Sequence, residues 1–494
     1  MPRLFLILSV LAIALVATIG WFFPAAWWAM VVIGPLVGIG LYDLLQTRNN
    51  ILRNFPLLGH LRYFFEFISP EIQQYFIERH TDGTPVSENH RNLVYSRAKD
   101  RTPTHPFGTE LDLYLDSYEG LRHSIYAEDP PDEPPRVRIG GTQCTQPYEA
   151  SLLNISAMSF GAISKNAVLA MNHGAQLGGF YQNTGEGGLS KYHLEHGGDI
   201  VWQIGTAYFG CRTKDGGFDP DSFQDKATKP QVKMIELKIS QGAKPGHGGV
   251  LPAVKNDQEI ADIREIEPHQ TVKSPPGHKE FSDAAGLLRF IQRLRELSGG
   301  KPTGFKLCLG RKEEFEEICR QMHETGIRPD FITIDGAEGG TGAAPLEFTD
   351  SVGYPLEPAL KFIDRALRQQ GLRDEIRVIA SGKVVTAFHL VKMLCLGADL
   401  CNSARAFMFS VGCIQAQRCD TNSCPTGVTT QNPKLVRGLV PEQKAPRVAN
   451  YHKHTVHAAM ELMFACGIKQ VGDLDPDLIV RGLEWKPEGG VRAG

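Results

Sequence analysis

Hydrophobic residues fall in two different rhythms along this chain. From Leu4 to Tyr42 no position is charged. One membrane-crossing helix needs ~20 apolar residues, so the run accommodates two, roughly Leu4–Phe23 and Ala26–Tyr42 with Pro24 at the turn. Trp21, Trp27 and Trp28 flank that turn, where amphipathic rings favour a membrane–water boundary. Arg3 precedes the run, Arg48, Arg53 and Arg62 follow it, and the turn carries no charge. Positive-inside reasoning puts both ends in the cytoplasm. Residues 1–45 are therefore expected to form a transmembrane helical hairpin in the cell (inner) membrane, with the remainder facing the cytoplasm. A cleaved signal peptide is the alternative, with Pro24-Ala25-Ala26 near the cut, but a signal peptide has no need of the apolar sequence beyond it.

Downstream the rhythm shortens. Residues 46–150 mix charge and proline and read as a connecting region, with Pro70–Arg79 a candidate helix and a Pro-rich lead from Glu128 to Pro135. Between about 150 and 410, short apolar runs end again and again in glycine or polar motifs. Leu152–Met158, Gly179–Asn183, Ile200–Ile204, Val232–Ile239, Gly304–Leu309, Phe331–Ile334, Ile376–Ala380 and Asp399–Asn402 are the predicted strands. Strands alternating with helices imply a parallel sheet. Eight such units in ~250 residues match an α/β fold of the (β/α)8 TIM-type barrel class, with a doubly wound open sheet as the alternative. This domain, taken as 151–435, would include the cysteine-rich loop; 436–494 would be a helical tail, with Val448–Cys466 its helix.

Composition narrows the function. Lys and Arg total 52 against 55 Asp and Glu, so there is no basic surplus and no nucleic-acid partner is expected. Charged residues at 22% and apolar ones at 42% are globular values that exclude a disordered chain. A mean hydropathy of -0.20 averages an apolar hairpin with a water-soluble body, so it does not argue against a membrane protein. Glycine is the outlier, at 51 of 494 residues. Its residues lie largely at the C-terminal ends of the predicted strands, where a barrel builds its active site and backbone must approach a ligand closely. The ten cysteines are scattered except for one cluster, so they form no disulfide framework.

Three constellations carry chemistry. Gly336-Ala337-Glu338-Gly339-Gly340-Thr341-Gly342 and Ser381-Gly382-Lys383 follow the sixth and seventh strands, and such loops hold phosphate through backbone N–H groups. Lys306, at an earlier strand end, is either a cation for a reduced flavin ring or a salt-bridged lysine. Cys413-x5-Cys419-x4-Cys424-Pro425 offers three thiolates in a short stretch. That suits an iron–sulfur cluster, and three ligands suggest 3Fe-4S; zinc would want a fourth ligand and closer pairs. Glu186, Gln241, Lys244 and Arg264 form the third set. Glu186 is a candidate general acid/base, Lys244 and Arg264 can hold the two carboxylates of a dicarboxylic substrate, and Gln241 adds a neutral partner.

Taken together these motifs resemble the FMN-binding synthase domain of the glutamate synthase family. The resemblance rests on Asn183-Thr184-Gly185-Glu186-Gly187-Gly188, Gln241-Gly242-Ala243-Lys244-Pro245-Gly246, Ile334 to Gly342 and the cysteine motif, in the same order over about 150–435. Asn92-Leu93-Val94-Tyr95 and Pro106-Phe107-Gly108-Thr109 resemble its membrane-anchored, single-domain members. The resemblance implies reduction of 2-iminoglutarate, formed from 2-oxoglutarate and ammonia or an amine, to L-glutamate. It implies that Ser156, Met158, Ser159, Lys306, Gly339, Gly340, Thr341, Ser381, Gly382 and Lys383 line FMN. Gln241, Lys244 and Arg264 would hold 2-oxoglutarate, Glu186 and Lys244 would be catalytic, and Cys413, Cys419 and Cys424 would ligate a 3Fe-4S cluster.

Two departures shape the expectation further. His247 stands where the family usually has Glu, and no cysteine precedes Cys144, so no glutaminase nucleophile is expected in this chain. Without a Gly-x-Gly-x-x-Gly fingerprint after a strand, electrons are expected from an external donor, a ferredoxin or a partner reductase. A methylglutamate-synthase-like enzyme and a membrane-tethered flavin/iron–sulfur electron-transfer module are the alternative functions.

Overall fold

The computed structural model describes residues 1–482. The chain divides into two compact units, Met1–Thr84 and the part from Pro85 onward. Residues 483–494, the end of the expected C-terminal tail, lie outside the described residues.

The first unit begins with helix α1 (Pro2–Phe22), a 3-10 turn (Pro24–Ala29) and helix α2 (Met30–Leu45). Both limbs are long and apolar enough to cross a membrane, the second counted from Pro24. They approach closely at Gly40, where a Cβ would lie 2.1 Å from the Phe5 ring. Helix α3 (Leu58–Ile72) follows. It replaces the helix expected at Pro70–Arg79, because Pro70 lies inside it rather than starting it. The proline leaves the carbonyl one turn before it without an N–H, and the helix passes into a wide turn over Gln73–Ile77, closed by Glu78 N–H donating to Gln73 O at 2.8 Å.

In the second unit eight parallel strands close into a barrel in sequence order, which excludes the open sheet. They are β1 (Leu153–Ile155), β2 (Gln182–Asn183), β3 (Ile200–Ile204), β4 (Val232–Lys238), β5 (Thr303–Leu307), β6 (Phe331–Asp335), β7 (Arg377–Ser381) and β8 (Leu400–Ser403). β8 pairs back onto β1, with Cys401 opposite Leu153 and Ser403 opposite Ile155. Side chains alternate across each strand. The outward set (Trp202, Ile235, Leu237, Phe305, Ile332, Ile334) joins the large core under the helices. The inward set is layered. Tyr181, Val201, Met234, Phe331, Ile379 and Leu400 pack with Ile139 and Ala150, which belong to a hairpin of Val137–Ile139 with Tyr148–Ala150.

The remaining flanking segments are part of this unit. Residues 85–150, expected as a connecting lead, carry helix α4 (Glu88–Ala98) and that hairpin. The tail helix α5 runs from Pro441 to Ala465, starting earlier than the expected Val448. It packs on the helix Lys165–Gly178 so tightly that a Cβ on Gly174 would lie 2.5 Å from Val448. Its His452 stacks on Phe180 and bonds Ser151 Oγ at 2.8 Å; burial pushes this imidazole down to about 3, so it is neutral. The short strands Glu119–Leu121 and Ile479–Arg481 pair antiparallel.

Candidate active site

Above its apolar layer the barrel interior turns polar. Glu236, the inward residue after Met234 on β4, is fully buried. Its carboxylate accepts from Asn183 Nδ2 at 2.8 Å, Gln203 Nε2 at 2.6 Å and Thr333 Oγ1 at 2.7 Å. A carboxylate only accepts, so it dictates how both amides are turned. Asn183 Oδ1 is left to accept from Gly185 N–H at 3.0 Å, which fixes the start of the Gly-Glu-Gly-Gly loop. Gln203, on β3, then meets the space above.

That space is a cavity of about 610 Å³ at the C-terminal ends of the strands. Of the residues expected to serve the site, Ser156, Ser159, Glu186, Gln241, Lys306, Gly339, Gly340, Ser381, Gly382 and Lys383 line it. Lys244 and Arg264 are buried behind the wall, Met158 is buried beside it, and Thr341 is exposed.

One wall is built of paired charges. Glu186 accepts from Lys238 Nζ at 2.6 Å, with both side chains largely buried. Lys238 ends β4 and stands in register with Lys306 of β5. Lys238 also reaches Gln241 Oε1 at 3.4 Å, and its own carbonyl accepts from His278 Nε2 at 2.9 Å. Lys244 Nζ donates to Ala343 O at 2.6 Å, and Arg264 donates to Phe160 O at 2.9 Å while lying over the Phe209 ring. The Arg264 Nε is buried without a hydrogen-bond partner. Burial alone would raise the Glu186 pKa, but Lys238, then Arg264 and Lys244, outweigh it and hold the carboxyl below its usual range. Burial pushes the Lys244 ammonium down to about 8, with Glu186 opposing and Lys238 adding to the fall. Burial likewise lowers Arg264 to about 10 against the pull of Glu186. Two glycines clasp the Glu186 side chain: a Cβ on Gly249 would lie 2.1 Å from Oε1, and one on Gly205 2.8 Å from its Cβ.

The opposite wall is mostly backbone. Gly339, Gly340, Ser381 and Gly382 bring main chain to the surface, and Lys383 (φ 49°) bends the chain after β7. Arg405, after β8, donates to Glu338 O at 2.6 Å and is partly buried beside Asp335 and Glu338. Glu338 turns away from the cavity, accepting from Leu356 N–H at 3.0 Å at the start of the helix Leu356–Gln369. Asp335 joins the two walls. It accepts from Gly242 N–H at 2.9 Å and Ser381 Oγ at 3.0 Å, and lies 3.7 Å from Lys306 Nζ. Two cations and exposed main chain at one end of a cavity suit a phosphate.

The cysteine loop lies beyond the Gly-rich loop, where Gly342 packs against Cys419. Among the described residues no three His, Cys, Asp or Glu side chains converge tightly enough for a single metal ion. The three thiols nevertheless share one electrostatic neighbourhood. Burial pushes Cys413 up to about 12, and burial with the Cys424 charge also raises Cys419. Burial would raise Cys424 too, but hydrogen bonds from Thr426 and Thr429 outweigh it and lower its pKa. Lys255 Nζ ties the loop down, donating to the carbonyls of Ala162 (3.1 Å), Cys419 (2.5 Å) and Thr429 (2.6 Å). Tyr95 of α4 donates to Cys413 O at 2.7 Å. A donor set of soft thiols held by backbone-directed bonds is compatible with an iron–sulfur cluster, whose cage is wider than a single ion's.

Sequence reading missed Lys238, Gln203, Asp335, Asn402 and Arg405 as site residues. A usable signal existed for the first: Met234, Glu236 and Lys238 alternate within β4, which places two charges on the face that should point into the barrel.

Residues 131–469 match the family model described as the conserved region in glutamate synthase. The chain is similar to the glutamate synthase large subunit-like protein YerD of Bacillus subtilis, at 38% identity over 470 residues covering 87% of this chain and 89% of that protein. It is similar to the archaeal glutamate synthase (NADPH) of Methanocaldococcus jannaschii, at 36% identity over 65% of this chain and 60% of that protein. The archaeal-type glutamate synthase (NADPH) of Thermotoga neapolitana is 33% identical over 65% of this chain, which again spans 60% of the relative.

Proposed function

From the premise that this chain belongs to the glutamate synthase family, we propose that it is an FMN- and iron–sulfur-dependent oxidoreductase that makes L-glutamate from 2-oxoglutarate and ammonia or an amine. The observation that carries the reading is the buried Glu186–Lys238 pair, with Lys244 and Arg264 behind it, on the wall where Lys238 stands in register with Lys306. A small dianion entering there meets a wall whose three buried cations are only partly offset by one carboxylate. An electron carrier has no need of such a clamp.

FMN, when bound, would supply a hydride to the carbon of the iminium formed by keto acid and ammonia. Lys383, Arg405 and the backbone at Gly339, Gly340 and Gly382 would hold its phosphate, and Lys306 and Gln203 would meet its ring. Lys238, Lys244 and Arg264 would fix the substrate carboxylates, so that orientation replaces a random encounter. Condensation of ketone with ammonia takes up one proton and releases water. Lys244, poised near neutral pH, is suited to give that proton, and ionised Glu186 to take one from the attacking ammonium. Cys413, Cys419 and Cys424 would hold a 3Fe-4S cluster that passes electrons from an external donor. The two apolar helices would anchor the enzyme to the cell membrane, with the barrel in the cytoplasm.

The apolar hairpin favours one second reading, a membrane-tethered electron-transfer module. Detergent-solubilised protein, reduced by an external donor, separates the two. Flavin reoxidation is expected only when 2-oxoglutarate and ammonium (or methylamine) are both present, with an amino acid formed. Reoxidation by a quinone with no amino acid would replace this reading by the second. Cys419→Ala should abolish the iron–sulfur EPR signal while flavin is retained; an unchanged signal would remove Cys419 from the ligand set.

A further inference from the structure

We infer that the segment from Leu58 to Ile77 is an in-plane membrane anchor, lying with its apolar face in the headgroup–acyl boundary of the bilayer that the hairpin enters. The inference rests on reading residues 1–45 as a membrane hairpin, and its observations lie within the first unit.

Leu58, Leu61, Phe65, Ile68, Ile72 and Tyr75 recur at steps of three and four, which stacks them along one side of a helix. Phe64 and Phe76 border the same side. Leu58, Leu61, Phe64, Phe65, Tyr75 and Phe76 are each between 53% and 84% exposed. Aromatic rings of ~150–250 Å² each, grouped like this, exceed the apolar patch a protein ordinarily shows to water.

The first half of the other side of α3 is held by polar bonds, with Phe67, 66% exposed, beyond them. Asp43, fully buried at the end of α2, accepts from Leu57 N–H at 3.1 Å and lies 2.9 Å from His60 Nε2. Tyr63 bonds the Asn49 side chain at 2.8 Å. His60 and Tyr63 therefore tie the polar side of α3 to the end of the second apolar limb. If that limb spans the bilayer, its end is the membrane surface, and α3 leaves it with aromatics on the free side.

Charge identifies the kind of surface. Residues 46–84 carry Arg48, Arg53, Arg62 and Arg79 against Glu66, Glu71, Glu78 and Asp82. With no basic excess there is no attraction to anionic headgroups, so burial of apolar area is the driving term and a neutral phospholipid surface is sufficient.

The test uses the full chain in phosphatidylcholine vesicles, with the photo-crosslinker p-benzoylphenylalanine placed singly at Leu11, Phe65 or Glu66. Lipid adducts are expected at positions 11 and 65, with position 65 several-fold above position 66. Addition of salt or anionic lipid should leave that ratio unchanged. Adducts at position 11 but none at 65 would overturn the in-plane anchor while the hairpin stands. Cross-links from position 65 to protein in place of lipid would likewise overturn it, showing a face that docks on another chain or on the barrel unit. Lipid adducts at neither position would overturn the hairpin with it. A ratio that rises with anionic lipid and falls with salt would overturn the apolar driving force.

Discussion

The two walls of the barrel cavity are both suited to negative groups, by opposite constructions. On one, Lys238, Lys244 and Arg264 are buried side chains arranged around Glu186. On the other, Gly339, Gly340, Ser381 and Gly382 present main chain, with Lys383 and Arg405 at the edge. Buried charges depend on each other, so the first wall should respond sharply to loss of one member and to pH. Main-chain donors neither titrate nor need a counter-charge, so the second wall should tolerate single side-chain changes. On the proposed function, the difference would separate a wall for a reacting carboxylate from a wall for a cofactor that stays.

The largest effect should come from Lys238→Met. It strands the buried Glu186 charge, and breaking a buried pair costs ~3–5 kcal/mol. Urea unfolding measures it, and a loss well below ~1 kcal/mol, the scale of an exposed pair, would erase the contrast between the walls. Next is Gly242→Ala, at the seam between the walls. A Cβ there would lie 1.7 Å from Gly336 O, so the backbone must move. A loss of ~1–3 kcal/mol, typical of overpacking, is expected with weaker binding of both flavin and keto acid.

A pH titration sharpens the comparison. Lys244 sits near about 8 because of burial, so it loses its charge as pH rises through that value. Affinity for 2-oxoglutarate should fall by roughly tenfold across the window, the worth of one ~1.4 kcal/mol contact, while flavin affinity stays flat. Lys244→Gln should bind weakly at all pH values and lose the inflection; an inflection that persists assigns it to another group. The smallest effect is expected from Lys383→Ala. Removing one exposed cation from a mainly backbone phosphate cradle should weaken flavin binding by ~1 kcal/mol, the scale of a single hydrogen bond. Apoprotein titration with FMN checks this, and complete loss of binding would show that the cation rather than the main chain holds the phosphate.

The barrel was readable because each strand is a short apolar run closed by glycine or a small polar residue. Those closing motifs are the loops of the cavity, so Glu186, Gln241, Gly339 and Ser381 were readable with it. Lys238 and Asp335 were not singled out, because they sit at the last inward positions of apolar runs. Their direction follows from strand register, which an apolar run does not announce. Gln203 lies inside an apolar strand run and Arg405 just beyond one, and neither was singled out. The helix over Leu58–Ile72 was misplaced because Pro70 reads as a start, whereas it lies in the last turn of a helix that begins at Leu58. Residues 85–150 look like a linker by composition, yet their buried residues Val94, Ile139 and Ala150 are core.

The pairing of Glu119–Leu121 with Ile479–Arg481 has a kinetic side. Glu119 and Glu357 also hold Lys392, and Arg481 approaches Glu119 at 3.6 Å. This buckle joins segments on either side of the whole barrel. Contacts of such long sequence separation form late, because the loop they close costs entropy before it returns stability. Where the barrel assembles before the buckle is made, unfastening the buckle becomes an early step by which the finished unit comes apart. Cutting the chain just before Ile479 should therefore speed unfolding far more than it slows folding.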